Sequence, residues 1–269
     1  MLKFHRFEKA LISSAFFIAS FLTHSSHAAN KPQCAGFIAS TSAVVRYIHD
    51  GDTLFLQDNR KLRLIGIDSP ELASRNNNSD TPSADQPFAI AARDYARDLI
   101  RHYGQHVKLM PGIEASDHYG RQLFHIQLSD GSLLQARLLQ AGLAVAYVTP
   151  PNHRLSPCYR KHEQQAQAQQ LNIWADSHYR ITPVPEITDD LRGFRRIRGR
   201  VRQISESKKA VWINFYGNFS ARIDKTDLPY FTSPLAQLLE KEVTVRGWLH
   251  HYHNKAQLRL RHPTSIETQ

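Results

Sequence analysis

The chain has 269 residues, which is longer than a single minimal module and allows one large domain or two ordinary ones. Hydrophobic residues make up 41% and charged residues 22%, so the composition excludes a largely disordered chain. A formal net charge of +10 favours polyanions, such as nucleic acid or acidic lipid headgroups, over cations as partners, without choosing among them.

The first 28 residues have the three parts of a secretory signal peptide. Three basic residues precede an apolar stretch at 10–22, and Ser26-His27-Ala28 is a small-x-small cleavage site. The apolar stretch is shorter than the about 20 residues that a membrane helix needs, although an uncleaved anchor is the alternative. We predict cleavage after about Ala28, a periplasmic or secreted protein, and no membrane span in the mature chain.

Cys34 and Cys158 are the only two cysteines of the chain. In an oxidising compartment they predict one disulfide, which would tie the N-terminal segment 29–43 to a later helix. Two unpaired, buried cysteines are the alternative. The pair lacks the C-x-x-C spacing of a zinc site, so we do not expect a cysteine-based metal site.

The segment 44–176 predicts an α+β domain, mainly β, built around a small barrel. Short β-branched and apolar runs separated by turn residues predict strands, and apolar residues at helical spacing predict helices. The predicted strands are 44–47, 53–57, 61–67, 107–110 and 122–128, and the predicted helices are 88–100, 132–141 and 157–170. Between them, 73–87 is an Asn-rich, proline-containing stretch that predicts a mobile loop.

The composition changes after Trp174. The stretch 177–190 contains Ile181-Thr182-Pro183-Val184-Pro185 and predicts a linker. Beyond it, 191–269 has five strand-like runs, which predict a second small β-barrel. Residues 184–269 contain 15 Lys and Arg against 9 Asp and Glu, so most of the net positive charge lies in this second part.

Carboxylates cluster where predicted strands meet turns. Asp50-Gly51-Asp52-Thr53, Asp68-Ser69-Pro70-Glu71 and Asp117 are the three clusters. In an extended chain Asp50 and Asp52 point to the same side, so carboxylates of two turns can converge at one rim of a barrel. Such hard oxygen ligands suit Ca²⁺ or Mg²⁺, although each Asp-Gly alone is more often a plain turn.

Arg63 and Arg121 supply the complementary charge, since a guanidinium fork matches two phosphoryl oxygens. Arg63 lies between two leucines in an apolar strand, where an unpaired charge is costly, so it needs an anion or a carboxylate partner. A straight strand would separate Arg63 from Asp68 by about 17 Å on opposite faces. We therefore predict a bulge or sharp bend near Gly66.

These motifs resemble the staphylococcal (micrococcal) nuclease family, also called thermonucleases. The matching stretches run in the family's order over about half of the chain. They are Asp50-Gly51-Asp52-Thr53, Arg63-Leu64-x-x-Ile67-Asp68-Ser69-Pro70-Glu71, Asp117-x-Tyr119-Gly120-Arg121, Gly142-Leu143-Ala144 with Tyr147, and Leu171-Asn172-Ile173-Trp174. The resemblance implies a five-stranded OB-type barrel with three helices, and the second barrel resembles an OB fold more weakly.

The resemblance also implies the roles of the site residues. Asp52 and Asp68 would bind Ca²⁺ directly, with the carbonyl of Ser69, and Asp50 would lie in the outer shell. Glu71 would be the general base, acting through a water. Arg63 and Arg121 would be catalytic, because they would hold the phosphoryl oxygens as charge builds up on them.

Nucleotide binding is implied at Tyr119 and Tyr147, which match family tyrosines near the bound nucleotide, and at His118, where the family has a lysine. The second tyrosine of the latter pair is Thr149 here. We therefore expect base stacking to differ, and substrate preference is not transferred with the mechanism.

Four arginines of the second barrel alternate along one predicted strand. Arg196, Arg198, Arg200 and Arg202 fall on one face by the period of two. Such a run is most often a solvated sheet face, and nucleic-acid contact is the alternative.

The sequence therefore predicts an exported, Ca²⁺-dependent endonuclease that hydrolyses DNA and RNA with little preference for the sugar. We expect a monomer in which the second barrel adds affinity for the substrate. The resemblance implies products with a 3′-phosphate and a 5′-hydroxyl. Two alternatives are a catalytically inactive nuclease-like protein that binds nucleic acid, and an envelope interaction protein with a basic surface.

Overall fold

The computed structural model describes Cys34 and residues 38–73 and 84–267, all within one compact unit of the chain, Lys31–Gln269. The predicted signal peptide, most of the N-terminal segment before residue 38, and the Asn-rich residues 74–83 lie outside the described residues. None of the described helices is long and apolar enough to cross a membrane.

The first half of the described chain contains seven strands and three α-helices. In chain order they are β1 (Thr41–Ile48), β2 (Thr53–Leu56), β3 (Lys61–Leu64), β4 (Ile67–Asp68), α1 (Ala89–His102), β5 (His106–Ser116), β6 (Gln122–Gln127), α2 (Leu134–Gln140), β7 (Val145–Ala146) and α3 (Ser156–Ala168).

Five of these strands close a barrel in the order β1-β2-β3-β6-β5. All neighbours are antiparallel except β3 and β6, which run parallel. Helix α1 covers the barrel with the face that carries Ala89, Ala92, Ala96 and Ile100, a spacing that keeps buried residues on one side of a helix. The predicted α+β barrel with three helices is confirmed.

Two short strands lie outside this barrel and carry residues of interest. β4 pairs with β7 in antiparallel register, with Ile67 opposite Ala146 and Asp68 opposite Val145. Helix α2 ends at Gln140, within the predicted range 132–141, and Gly142 just beyond it adopts a φ of 66°, a conformation that favours glycine. The chain can therefore turn back directly from α2 into β7, which lies beside β4.

The second half of the described chain is almost entirely β. Its strands are β8 (Ile181–Pro183), β9 (Gly193–Glu206), β10 (Ala210–Phe215), β11 (Phe219–Asp224), β12 (Glu242–Tyr252), β13 (Lys255–Arg259) and β14 (Ile266–Glu267). Several 3₁₀ turns connect them.

β9 to β13 close a second barrel, because β12 pairs with both β13 and β9. Its order repeats that of the first barrel: the third and fifth strands, β11 and β13, are parallel, and the remaining neighbours are antiparallel. The predicted second OB-like barrel is confirmed. Its core is separate from the first and includes Ile197, Phe219 and Val245.

Part of the stretch that predicts a linker belongs to the second sheet. Residues 181–183 form β8, which pairs in parallel with β9, and Val184 is buried in the second core. Proline tolerates this position because β8 is an edge strand. The prolines that suggest a linker therefore mark a sheet edge.

The predicted disulfide is present. Cys34 and Cys158 are bonded, with their Cα atoms 5.7 Å apart, and the bond ties the N-terminal segment to α3 across 124 residues of sequence. Among the described residues there is no unpaired cysteine.

Candidate active site

The turn between β1 and β2 holds two buried aspartates. Oδ1 of Asp50 accepts hydrogen bonds from the backbone N–H of Asp52 at 2.9 Å and of Thr53 at 2.6 Å, so Asp50 shapes the turn. A Cβ on Gly51 would lie 2.7 Å from the Cβ of Ser69. The glycine therefore lets this turn approach the segment that carries Asp68 and Ser69.

The bend predicted near Gly66 is present. β3 ends at Leu64, Gly66 has a φ of 83°, and β4 begins at Ile67. A Cβ on Gly66 would also lie 2.7 Å from the ring of Tyr159, so both the φ and the space require glycine. The bend brings Nη2 of Arg63 to 2.6 Å from Oδ1 of Asp68.

Three carboxylates meet beside this bend. One oxygen of each of Asp52, Asp68 and Glu71 lies within 4.8 Å of the others. Oδ2 of Asp52 also accepts the backbone N–H of Ser69 at 2.7 Å, which places the Ser69 backbone in the same group. Hard oxygen donors at this spacing fit a divalent cation, so the donor set supports a metal site here.

The charge on these carboxylates is balanced by Arg63. Its guanidinium forms ion pairs with Asp52 and Asp68, and only 13% of its side chain is exposed. Burial raises the pKa of Asp68 and of Asp50, and Arg63 offsets part of the increase. The prediction that Arg63 needs an anionic partner is thus confirmed, and two aspartates, Asp52 and Asp68, fill this role.

Glu71 is positioned by Gln86, a residue that the sequence did not single out. The side-chain oxygen of Gln86 accepts the backbone N–H of Glu71 at 3.0 Å, and the Gln86 N–H donates to the Glu71 carbonyl at 2.9 Å. Burial, together with the charges of Asp50 and Asp68, raises the pKa of Glu71 to about 7. A carboxyl with that pKa suits a general base near neutral pH.

Arg121 is oriented by Asp117, which is not part of the carboxylate group. Oδ2 of Asp117 accepts Nε of Arg121 at 2.7 Å, and Oδ1 accepts the backbone N–H groups of Tyr119 and Arg121. Burial acts to raise the pKa of Asp117, but these hydrogen bonds outweigh it and the pKa is lowered. Nη1 of Arg121 reaches Thr53 Oγ1 at 3.4 Å, beside Asp52.

The three aromatic residues that are predicted to bind the nucleotide lie at two separate positions. His118 and Tyr119 are in ring contact at 3.8 Å, and Arg121 lies over the Tyr119 ring, which is largely exposed. Tyr147 follows β7, and its N–H donates to the carbonyl of Gly66 at 3.0 Å. Both places adjoin the carboxylate group, one through Arg121 and the other through the bend.

The arginines of β9 are mostly paired with acidic side chains. Arg196 forms an ion pair with Glu267 at 2.7 Å, and Arg200 forms one with Glu240 at 2.8 Å. Arg198 donates to Thr244 Oγ1 at 3.1 Å, with Glu242 close by. Arg202 is exposed. Nucleic-acid contact along this face remains a prediction.

A second residue that the sequence did not single out comes from the other barrel. Nε1 of Trp248, on β12, donates to Oδ2 of Asp68 at 3.0 Å. Neither a motif nor a periodic pattern marks this tryptophan as part of the site. Alternation along β12 places it on the outer side of the strand, but that position does not indicate which residue it contacts.

Comparisons with known proteins agree with this geometry. The model of the family described as "Staphylococcal nuclease homologue" matches residues 61–176. A thermonuclease of Staphylococcus intermedius is 35% identical over 141 residues, which is 51% of this chain and 78% of the relative. A thermonuclease of Staphylococcus hyicus is 34% identical over 51% of this chain and 76% of its own length.

A third relative, the endonuclease YncB of Bacillus subtilis, is 34% identical over 48% of this chain and 60% of its own length. The aligned length in all three is close to that of the first barrel with its helices. Nucleases of this kind generally use a metal ion, in agreement with the Asp52, Asp68 and Glu71 group. The protein is a hydrolytic nuclease and belongs to the staphylococcal nuclease family.

Proposed function

We propose that the protein is an exported, Ca²⁺-dependent endonuclease that hydrolyses phosphodiester bonds of DNA and RNA with little preference for the sugar. The observation that carries the proposal is the convergence of Asp52, Asp68 and Glu71 with the guanidinium of Arg63. The relatives that are named thermonucleases support phosphodiester hydrolysis.

In the proposed mechanism, Asp52 and Asp68 bind the cation, with the Ser69 carbonyl, and Asp50 supports the turn from the outer shell. A bound Ca²⁺ would polarise the scissile phosphodiester. Once Asp52 and Asp68 hold the cation, the Arg63 guanidinium would be free to bind phosphoryl oxygens. Arg121, held by Asp117, would bind the same group.

Glu71 would remove the proton from the attacking water. This step is typically worth about 10²- to 10⁴-fold in rate. The bond from water oxygen to phosphorus would form as the bond to the 5′-oxygen breaks. The leaving 5′-oxygen would take up a proton from solvent water, so the products carry a 3′-phosphate and a 5′-hydroxyl. Because none of these contacts needs the 2′-hydroxyl, both DNA and RNA would be substrates.

The test is cleavage of plasmid DNA and of RNA by the purified chain with Ca²⁺ or with a chelator. We expect both substrates to be cut only with Ca²⁺. The Glu71→Gln variant should lose at least about 10²-fold in rate but still bind DNA. Cleavage that persists in the chelator, or in Glu71→Gln, would contradict the mechanism, and a wild-type chain that binds without cutting would indicate a catalytically inactive relative.

Export and oligomeric state are part of the same proposal. The signal-like residues 1–28 and the Cys34–Cys158 disulfide both fit an oxidising compartment outside the cytoplasm. We expect the mature protein to begin at Ala29 and to be a monomer. Cell fractionation, mass measurement of the exported protein and light scattering test the three statements separately.

A further inference from the structure

The second barrel contacts the proposed cation ligand Asp68 directly. Oδ2 of Asp68 accepts the indole N–H of Trp248 at 3.0 Å, while Oδ1 accepts Nη2 of Arg63 at 2.6 Å. Each oxygen of this carboxylate is thus held by one donor. The two donors come from different barrels, because Arg63 is on β3 and Trp248 is on β12.

The strand β12 presents two side chains to the first barrel. Val245 and Leu249 are buried in the core of the second barrel, so alternation along the strand places Arg246 and Trp248 on its outer side. Arg246 reaches the carbonyl of Ala146, on β7, at 2.7 Å. Since β7 pairs with β4, the outer side of β12 faces the two-stranded sheet that carries Asp68.

Arg246 fixes this arrangement. Its guanidinium, 2% exposed, donates to Glu163 of α3 at 2.5 and 2.8 Å and to Glu267 at 3.3 Å. Glu163 is fully buried and also accepts the N–H of Ala146 at 2.7 Å and the Arg160 guanidinium. A charge cluster that is buried and so completely hydrogen-bonded holds its members at fixed positions.

The contact between Trp248 and Asp68 is not explained by a need to bury the tryptophan side chain. Trp248 is 36% exposed, so the first barrel does not enclose the whole side chain. Its indole N–H is directed at a buried carboxylate of the cation group. This is the relation in which an outer donor fixes the orientation of a metal ligand.

We propose that the second barrel completes the cation site, with Trp248 as a positioning residue that holds Asp68 in the orientation needed to bind Ca²⁺. The inference rests on the proposed function only in taking Asp68 as a ligand of the cation. Trp248 acts through Asp68. Arg246 and Glu163 hold β12 in the position from which the indole N–H of Trp248 reaches Asp68.

The first measurement is Ca²⁺ binding by calorimetry to the full chain without nucleic acid. Trp248→Phe removes the N–H and keeps an aromatic ring. We expect it to weaken Ca²⁺ binding by about tenfold, as loss of an outer-shell partner usually does. The matched control is Trp212→Phe, which removes an indole hydrogen bond to Ser207 Oγ on the outside of the same barrel and should leave the Ca²⁺ affinity unchanged.

The second measurement is the indole N–H resonances in a two-dimensional NMR spectrum. The chain has three tryptophans, and the signal that disappears in Trp248→Phe belongs to Trp248. We expect this signal to move during a Ca²⁺ titration with the dissociation constant that calorimetry gives. The Trp212 signal, identified in the same way, should not move.

The outcomes separate this inference from the proposed function. Wild-type Ca²⁺ affinity in folded Trp248→Phe, or a Trp248 signal that Ca²⁺ does not move, would overturn the inference even if the wild-type chain cuts DNA. Conversely, a wild-type chain that fails to cut but shows both Ca²⁺ responses would overturn only the proposed function. The spectrum of Trp248→Phe shows directly whether the variant is folded.

Discussion

Arg63 takes part in two interactions that compete with one another. It forms ion pairs with Asp52 and Asp68, the proposed cation ligands, and it is also proposed to bind the phosphoryl group. A guanidinium that neutralises carboxylates competes with a cation for the same oxygens. Removing it should therefore affect cation binding and catalysis in opposite directions.

We predict that Arg63→Met lowers kcat by about 10²- to 10³-fold, the usual effect of losing one donor to the transition state. The same variant should bind Ca²⁺ at least as tightly as the wild type, because the aspartates lose their competitor. Single-turnover rates and calorimetry measure the two effects. Arg60→Met, at a surface ion pair with Asp58, is the control. Weaker Ca²⁺ binding in Arg63→Met would refute the competition.

Gln86 affects Glu71 through the backbone only. Its side chain accepts the Glu71 N–H, and its own N–H donates to the Glu71 carbonyl. We predict that Gln86→Leu lowers kcat by about 10- to 100-fold, since small displacements of a catalytic group are costly. Ca²⁺ affinity should change little, because Asp52 and Asp68 are untouched. Full activity in Gln86→Leu would contradict this role.

Gln127→Leu is the control for Gln86→Leu. It removes another half-buried glutamine hydrogen bond, to the carbonyl of Gly131, in the turn that follows β6. We expect wild-type kcat from this variant.

At the scale of elements, His125 joins the first barrel to a helix. Its Nδ1 on β6 lies 2.7 Å from the hydroxyl of Tyr159 on α3, and both residues are buried. Burial, with a smaller effect of Arg154, lowers the pKa of His125 to about 3. The imidazole is therefore neutral in the folded protein at pH values where an unfolded chain would protonate it.

This shift predicts a loss of stability in acid. The contribution of His125 is complete above its unfolded pKa of about 6.5 and is lost as the pH falls towards about 3, because the unfolded state binds the additional proton. The free energy of unfolding should fall by up to about 1.4 kcal/mol per pH unit from this one group.

Urea unfolding at several pH values tests the His125 prediction. His125→Asn, which does not titrate there, should show a shallower slope than the wild type. His106→Asn, at an exposed histidine, should keep the wild-type slope. An equal slope in His125→Asn would contradict the assignment.

At the scale of the whole molecule, the buried pair of Glu163 and Arg246 joins the two barrels. Removing one partner takes away a buried ion pair of the other. Of its ion pairs with described residues, Glu163 then keeps only that with Arg160, and Arg246 only that with Glu267. We predict that Glu163→Leu and Arg246→Met each reduce the free energy of unfolding, by up to about 3–5 kcal/mol. The double variant Glu163→Leu with Arg246→Met should cost clearly less than the sum, because neither charge remains.

The measurement for this pair is urea unfolding arranged as a double-mutant cycle. Glu186→Gln, at the exposed ion pair with Arg180, should cost less than about 1 kcal/mol and serves as the control. Strict additivity of the two buried substitutions would show that the pair does not couple the barrels.

Part of the site was predictable because Arg63, Asp68 and Glu71 lie close together in sequence. Arg63 sits in an apolar strand, so its need for a partner and the bend at Gly66 followed from charge and strand geometry alone. The linker prediction differed from the structure for a related reason. Prolines mark a sheet edge as readily as they mark a free linker, and only the pairing of β8 with β9 distinguishes the two.

Local pattern was sufficient for both barrels and the three helices. The disulfide followed from the presence of only two cysteines behind a signal-like segment, and the grouping of carboxylates with arginines followed from strand geometry together with the resemblance to a nuclease family. The roles of Gln86 and Trp248 were decided by the tertiary structure. Gln86 follows a polar stretch without periodicity, and Trp248 is 180 residues from the aspartate it contacts. A hydrogen bond between distant residues depends on how whole barrels pack against each other, and that packing leaves no trace in the spacing of neighbouring residues.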